Sequence, residues 1–317
     1  MKRWKHIDEL SREIQKSAVS VGNFDGVHMG HQSIVDRLLG TAQKRRLPSV
    51  VITFEPHPAK VLGYDAPPLL TTPHQRGDFL EKMGVDHFVV QPFDVAFSKI
   101  EAEEFVQRWL TKKIGMEFLC IGPTTHVGKG RAGTPRELKD LAKKYAFELQ
   151  VVSALEIEGE MVSSSCIRKL IQKGEVRKVN KYLGRPHCTM ASIVSGAGRG
   201  KDLGFPTLNL ESPDRIPTLL PKKGVYAAIA TLGGKRLPSA TNVGFRPTFA
   251  DKELVVEAHL IDFKGKISTT EVTLEWISRI RDEQKFSSAE TLKAQIQKDC
   301  NSATQALIES GFQREPE

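Results

Sequence analysis

The sequence predicts an α/β chain in two parts: a mostly parallel sheet with crossover helices, then a small antiparallel β-barrel with a terminal helix. Three observations carry this reading. The first half alternates short apolar runs with amphipathic stretches, the pattern of strands joined by crossover helices. Beyond about residue 185, glycine and proline cluster and the segments become strand-like. The length, 317 residues, suits two domains.

Taken in order, Ser17 to Phe24 reads as a strand entering a turn, Ser33 to Arg45 as a helix and Ser49 to Phe54 as a second strand. Pro73 to Met83 is a second helix. His87 to Phe93, Phe118 to Gly122 and Leu149 to Ala154 read as strands, with helices at Glu101 to Lys112 and Thr134 to Tyr145 between them. In such sheets ligands sit beyond the carboxyl ends of the strands. Gly224 to Leu232, Gly233-Gly234 and Lys235 to Val243 form a predicted hairpin. Leu254 to Phe263 and Thr270 to Ile277 add two strands, which suggests a barrel. A helix follows from Ser287, with Ser287 to Glu290 as its capping box and Leu292, Ile296 and Leu307 as its apolar stripe. The domain boundary is placed in the basic, helix-prone link before Pro186, giving domains 1–183 and 184–317.

Composition excludes several classes. A hydrophobic fraction of 39% with 26% charged residues describes ordinary globular cores. The polar N-terminus is no signal peptide and no apolar run spans a bilayer, so no membrane partner is expected. Cys120, Cys166, Cys188 and Cys300 are scattered without a C-x-x-C pair, which suits a reducing cytoplasm. The net charge of +8 fits phosphorylated small molecules. With no helix-turn-helix, RNP motif or aromatic–basic interleaving, no nucleic-acid partner is expected.

The densest chemical signal is Gly22-Asn23-Phe24-Asp25-Gly26-Val27-His28-Met29-Gly30-His31, between a strand and a helix. Two histidines three apart aim at one point above a helix N-terminus, which already favours an anion. Their donors would stabilise charge building on a phosphorus atom and its leaving group. The glycines let a nucleotide approach the backbone. Two histidines alone would read as well as incidental residues beside turn glycines; the full string at a strand–helix junction sets that reading aside.

The string resembles the H-x-G-H signature of the nucleotidyltransferases. Its longer form is similar to the bacterial bifunctional riboflavin kinase/FAD synthetase family. Thr53-Phe54-Glu55-Pro56-His57-Pro58, Phe93-Asp94 through Phe97 with Glu104-Phe105, and Val162 to Arg168 resemble further blocks of that family. In the last block Ser164 and Ser165 offer hydroxyls at a helix start and Arg168 a guanidinium, a set suited to a triphosphate and otherwise explained as helix capping. One segment departs: the family's V-G-x-D/N-F-x-F-G is Ile121 to Gly128 here, with Thr124 at the polar position and Thr125 and Val127 at the aromatic ones. The resemblance puts this segment at the nucleotide and flavin end of the transferase site, which makes Thr124 a flavin-binding candidate.

The second cluster runs from Ser195 to Leu210 and includes Gly198, Gly200 and Gly204. It is not a Walker A loop, because Asp202 follows Gly200-Lys201 and Ser195 stands where glycine is required. Gly204-Phe205-Pro206-Thr207-Leu208-Asn209 resembles the G-F-P-T-A-N signature of riboflavin kinases. In an extended segment Thr207 and Asn209 share a side, with Leu208 opposite. Their oxygens can hold Mg²⁺ with ATP phosphates. Val255 to Phe263 resembles the block whose glutamate deprotonates the ribityl hydroxyl, which assigns that role to Glu257. Alternation puts Glu257 with Val255, His259 and Ile261, and without the family match it would read as a strand glutamate facing solvent. Arg281 and Phe286 either line the flavin entrance or cap the barrel and pack the last helix.

The resemblance covers about Ala18 to Asp299 in colinear order. It implies a Rossmann-like nucleotidyltransferase domain and a riboflavin-kinase barrel, with riboflavin, FMN, FAD and ATP as ligands and Mg²⁺ as cofactor. Catalysis would fall to Glu257 in one site and to His28, His31 and Arg168 in the other, where Gly22, Asn23, Phe24, Asp25 and Gly26 contact phosphate. Two rivals are a riboflavin kinase with an impaired transferase domain and a binding protein, either a flavin- or nucleotide-responsive regulator or a basic nucleic-acid binder on the same scaffold.

Overall fold

The structure, a computed structural model, describes residues 1–194, 207–211, 215–247, 252–265 and 267–313. Packing divides the chain into two compact units, 1–67 with 71–164 and 68–70 with 165–317.

In the first unit β1 (Lys2–Trp4), β2 (Ser17–Val21), β3 (Ser49–Glu55), β4 (His87–Pro92), β5 (Met116–Ile121) and β6 (Glu148–Val151) form one sheet, ordered β1-β4-β3-β2-β5-β6. Every pairing in it is parallel. A parallel sheet is covered on both faces, and all five residues of β2 are buried. Alternate residues feed two cores. Val19, Val21, Ile52 and Ile121 face one, while Ala18, Val51, Phe88 and Cys120 face the other.

The helices of this unit are α1 (Ile7–Leu10), α2 (Met29–Arg45), α3 (Pro58–Val61), α4 (Pro73–Met83), α5 (Ala102–Glu104) and α6 (Pro135–Tyr145). α5 runs on as a π-helix over Phe105–Lys112, where an α-helix is expected. β1, only three residues long and ending in Trp4, carries too little pattern to be read from sequence. β2 ends at Val21 because Phe24 turns left-handed, with φ 48°. α2 starts at Met29, ahead of the expected Ser33, because His28 caps it. A short ribbon, β7 (Glu156–Ile157) with β8 (Glu160–Met161), follows β6.

In the second unit β9 (His187–Val194), β10 (Thr207–Leu210), β11 (Gly224–Leu232), β12 (Lys235–Pro247), β13 (Lys252–Leu260) and β14 (Glu271–Arg281) close a barrel in the order β10-β13-β12-β11-β14-β9. Gly233 and Gly234 turn the expected hairpin with φ of 54° and 86°, which residues with a Cβ rarely adopt together. Val243, Val256, Ala258, Leu274 and Trp276 fill the interior. The closing helix, counted as α9 (Ala289–Glu309), lays Cys300, Ala303 and Leu307 over Ala227, Ile229 and Ala240 on the outside. Its N-cap is Ser288, with Thr291 completing the box, one residue beyond the expected pair.

The link before Pro186 is two helices, α7 (Ser164–Lys173) and α8 (Val176–Leu183). Their buried faces group residues 165–183 with the barrel: Val176 joins its core, and the Asn180 amide donates to the Trp276 carbonyl at 2.8 Å and accepts from the His187 N–H at 2.9 Å.

Candidate active sites

The glycine–histidine string leaves the sheet after β2, which lies between β3 and β5. The chain moves from β2 outward to β3 and β4, then returns to place β5 on the other side of β2. That reversal is the topological switch point where open α/β sheets bind ligands. The segment after β5 faces the same crevice.

His28 caps α2, and its Nδ1 accepts from the His31 N–H at 3.3 Å. A neutral His28 so bonded carries its hydrogen on Nε2. The two rings stack, with centroids 3.7 Å apart and planes 17° apart. A Cβ on Gly30 would come within 3.2 Å of the His28 ring, so glycine there leaves the imidazole room. Both rings thus stand at the N-terminus of a 17-residue helix, where unsatisfied amides and the helix dipole favour negative charge.

The loop before His28 is strained. Phe24 and Val27 have φ of 48° and 38° and Gly26 has 87°, and a non-glycine residue held this way costs about 1–3 kcal/mol. Anchors offset that cost. The Asp25 carboxylate accepts from the Thr71 N–H at 3.0 Å, and the Gly26 N–H donates to the Thr71 hydroxyl at 2.8 Å. The Ser164 hydroxyl donates to the Asp25 carbonyl at 2.9 Å, and the Gln32 amide to the Val27 carbonyl at 2.8 Å. The Gly22 N–H continues the sheet to the Ile52 carbonyl at 3.1 Å, and the Asn23 amide lies 3.1 Å from His57 Nε2. The Asn23 carbonyl accepts from Thr53 and Arg76, each at 2.9 Å. Arg76 is the residue that sequence reasoning missed. Its signal was an arginine four residues before Leu80, on the buried stripe of α4.

The departing segment after β5 is a turn. The Thr125 N–H donates to the Gly122 carbonyl at 3.2 Å, with Pro123 at the second position, where its fixed φ suits a turn. Thr124 is exposed at the tip. Val127 is 8% exposed and belongs to the core of its unit, so this position fills the interior without an aromatic ring. Ser165 is the second residue of α7 and the first of the second unit, and Arg168 Nε donates to the Pro68 carbonyl at 2.8 Å.

In the barrel, β10 alternates half-buried Thr207 and Asn209 with buried Leu208 and Leu210. Leu208 and Leu210 enter the core. Antiparallel register places Thr207 opposite His259 and Asn209 opposite Glu257, and Asn242 opposite Glu257 from the other side. Directly opposed residues project to one face with Cβ atoms about 5 Å apart. Glu257 therefore stands between two carboxamides, Asn209 and Asn242, in one row across three strands. Glu257 keeps the neighbours that strand alternation assigns to it, and that side faces away from the barrel core. Val256, Ala258 and Leu260 form the core side of β13, so Glu257, Val255 and His259 lie on the outer face. Ile261 follows the strand in a turn and packs with residues of α9.

Gly244 is a position of close approach: a Cβ there would collide with the carboxylate of Glu283. Arg281 forms a two-pronged ion pair with buried Asp299, at 2.8 Å from Nε and 2.7 Å from Nη2, and its guanidinium lies 5.8 Å from the Phe286 ring centre. These contacts cap the barrel and hold α9. Gly198, Gly200 and Gly204 lie outside the described residues.

Residues 10–166 match the family described as FAD synthetase, and residues 183–307 the family described as riboflavin kinase. The relative named bifunctional riboflavin kinase/FMN adenylyltransferase in Escherichia coli strain K12 is 33% identical over 302 residues, covering 94% of this chain and 96% of its own. Its counterpart of the same name in Bacillus subtilis strain 168 is 32% identical over 300 residues, covering 93% and 94%. A crystal structure named as a macrolide-efflux protein from Streptococcus pneumoniae shares the fold with a TM-score of 0.84 at 28% identity, covering 96% of this chain and 98% of its own.

Proposed function

The chain belongs to the bifunctional riboflavin kinase/FMN adenylyltransferase family, and from that premise we propose that it phosphorylates riboflavin to FMN with ATP and adenylylates FMN to FAD with a second ATP. The observation that carries this is colinear: an FAD synthetase match followed by a riboflavin kinase match, each spanning one of the two clusters. The functional boundary is placed between residues 183 and 184, and the reactions in the cytoplasm, which the cysteine spacing suits.

In the kinase reaction Glu257 takes the proton of the riboflavin 5′-hydroxyl as that oxygen attacks the γ-phosphorus of ATP, whose bond to the β,γ-bridging oxygen breaks to release ADP. The flanking carboxamides of Asn209 and Asn242 orient the carboxylate and substrate. Thr207 and Asn209 fit Mg²⁺, because a hydroxyl and an amide oxygen share the outer face while Leu208 and Leu210 take the core side. They would hold the ion through hard oxygen ligands. Mg²⁺ bound there supplies neutralising charge to the ATP phosphates. Gly198, Gly200 and Gly204 are assigned to the phosphates by their motif.

In the adenylyltransferase reaction an FMN phosphate oxygen attacks the α-phosphorus of ATP and pyrophosphate leaves. His28 and His31, with the N-terminal amides of α2, stabilise the charge that moves onto the leaving group. The backbone from Gly22 to Gly26 lies against the nucleotide. Ser164, Ser165 and Arg168 are assigned to the triphosphate by their motif and Thr124 to flavin by its own, while Arg281 and Phe286 are assigned to the flavin entrance of the kinase barrel. Nothing favours an impaired transferase domain: the FAD synthetase match runs through the departing turn, and Val127 fills its place in the core.

The test is a product analysis. The purified chain is incubated with riboflavin, ATP and Mg²⁺, and the flavins are separated over time. FMN followed by FAD is the expected course. FMN alone would remove the second activity, and neither product would overturn the enzyme reading.

A further inference from the structure

Arg76 is 2% exposed, a guanidinium placed in the interior beneath the histidine loop. Burial pulls its pKa down, while Asp25 and Glu55 pull it back up. Arginine keeps its charge in proteins, so the interior carries a cation whose desolvation is costly. Its hydrogen bonding is incomplete: among the described residues Arg76 Nε meets no acceptor, and Nη2 stands 3.8 Å from Glu55. A buried donor without a partner detracts from stability, so folding alone gives little reason for an arginine here.

What Arg76 does satisfy is the loop. Nη1 donates to the Asn23 carbonyl at 2.9 Å and to the Thr53 hydroxyl at 3.1 Å, and that hydroxyl donates to the same carbonyl at 2.9 Å. α4, which carries Arg76, is fixed at its start by a capping box between Thr72 and Gln75. The neighbouring Thr71 holds Asp25 and Gly26. Arg76 in α4 and Thr71 just ahead of its N-cap thus grip the loop at Asn23, Asp25 and Gly26, around left-handed Phe24, Gly26 and Val27. Such backbone persists only where its surroundings over-determine it.

We propose that Arg76 is a positioning residue for adenylyl transfer: its Nη1, bonded to both the Asn23 carbonyl and the Thr53 hydroxyl, fixes that carbonyl and thereby the placement of His28 and His31 at the head of α2. The inference rests on the adenylyltransferase reading above. Lysine, a more strongly hydrated ammonium on a flexible stem, lacks the rigid planar group that holds Nη1 in this buried place.

The experiment uses the full chain with Arg76→Met, Arg76→Lys and Arg76→Ala, measuring FAD formation from supplied FMN, FMN formation from riboflavin, and thermal unfolding. For Arg76→Met, kcat for FAD formation is expected to fall about 100-fold, the effect of a small misplacement of reacting groups, with KM for ATP changed much less. Kinase turnover is expected to stay at the parent level. Arg76→Lys is expected to fall in between, and guanidinium added to Arg76→Ala to restore part of the lost rate, which alkylammonium does not. Arg76→Met with parental kcat overturns the inference. So does a loss shared by kcat, KM and unfolding temperature without guanidinium rescue, which would mark Arg76 as a folding residue only. A parent chain that makes FMN but no FAD overturns the adenylyltransferase reading and this inference with it, an outcome distinct from a parent that makes FAD at the rate of Arg76→Met.

Discussion

The two clusters are built in opposite ways. In the parallel-sheet unit the chemistry sits on one unbroken string, Gly22 to His31, held by residues brought to it from β3, α4 and Ser164. In the barrel the described part of the site is spread over separate strands. Asn209, Glu257 and Asn242 come from three strands, and only antiparallel register makes them neighbours. The first design buys a left-handed loop at the cost of backbone strain, offset by anchors beneath it. At Asn209, Glu257 and Asn242 the second needs no left-handed backbone, because a pleated sheet already presents alternate side chains to one face. A loop site is therefore sensitive to residues that never touch substrate, and a register site to the group in the row itself.

Four predictions sharpen or break that comparison. The largest concerns Glu257→Gln. Losing a general base is expected to slow FMN formation by about 10³-fold, while FAD formation from supplied FMN holds, as chromatography of the two reactions would show. If both fell together, the assignment to separate sites would fail. Next, His28→Ala is expected to lower FAD formation by about 10²-fold or more and to leave the riboflavin kinase rate untouched. An equal loss of both activities would mean the loop serves more than one reaction.

A third, smaller effect tests the frame of the barrel. Arg281→Met strands the buried Asp299 carboxylate, and with Arg281 itself partly exposed the loss is expected to be about 2 kcal/mol. That corresponds to roughly 6 °C in the unfolding temperature of a unit of this size. A raised riboflavin KM at unchanged stability would instead seat Arg281 in the flavin site. The smallest effect compares how the units open. Burial pushes the Cys120 thiol up to about 12 and the Cys300 thiol to about 11, so little thiolate exists below those values, and both resist alkylation at neutral and mildly alkaline pH. On gradual heating, the cysteine labelled first, identified by mass spectrometry, reports which unit opens first. Rapid labelling of both in the native chain would contradict the burial of either.

Much was legible in the residues. The alternation of strand and helix, the Gly233-Gly234 hairpin and the glycine–histidine string are local patterns, and each folds as its local chemistry directs. Leu208 fell on the buried side because period two settles it once the segment is extended. The missed parts were non-local. β1 and β9 needed partners far along the chain to become strands. Glu257 was placed with the right neighbours on its own strand, but which face turned inward depended on closure of the barrel. Arg76 looked like an ordinary helix arginine, because nothing near it in sequence marks the carbonyl of Asn23, 53 residues away, as its partner.

By itself the sequence determined the class of each half, the order of its motifs and the chemical groups available, because turn glycines, helix caps and contiguous motifs act over a few residues. Tertiary structure alone decided which groups meet. The crossing from β2 to β5 opened the crevice at the histidine loop, and strand register set Glu257 between Asn209 and Asn242. The fold also buried an arginine beneath a strained loop. Each of these depends on distances between residues tens to hundreds of positions apart, which the packing of the whole chain sets and no local pattern can.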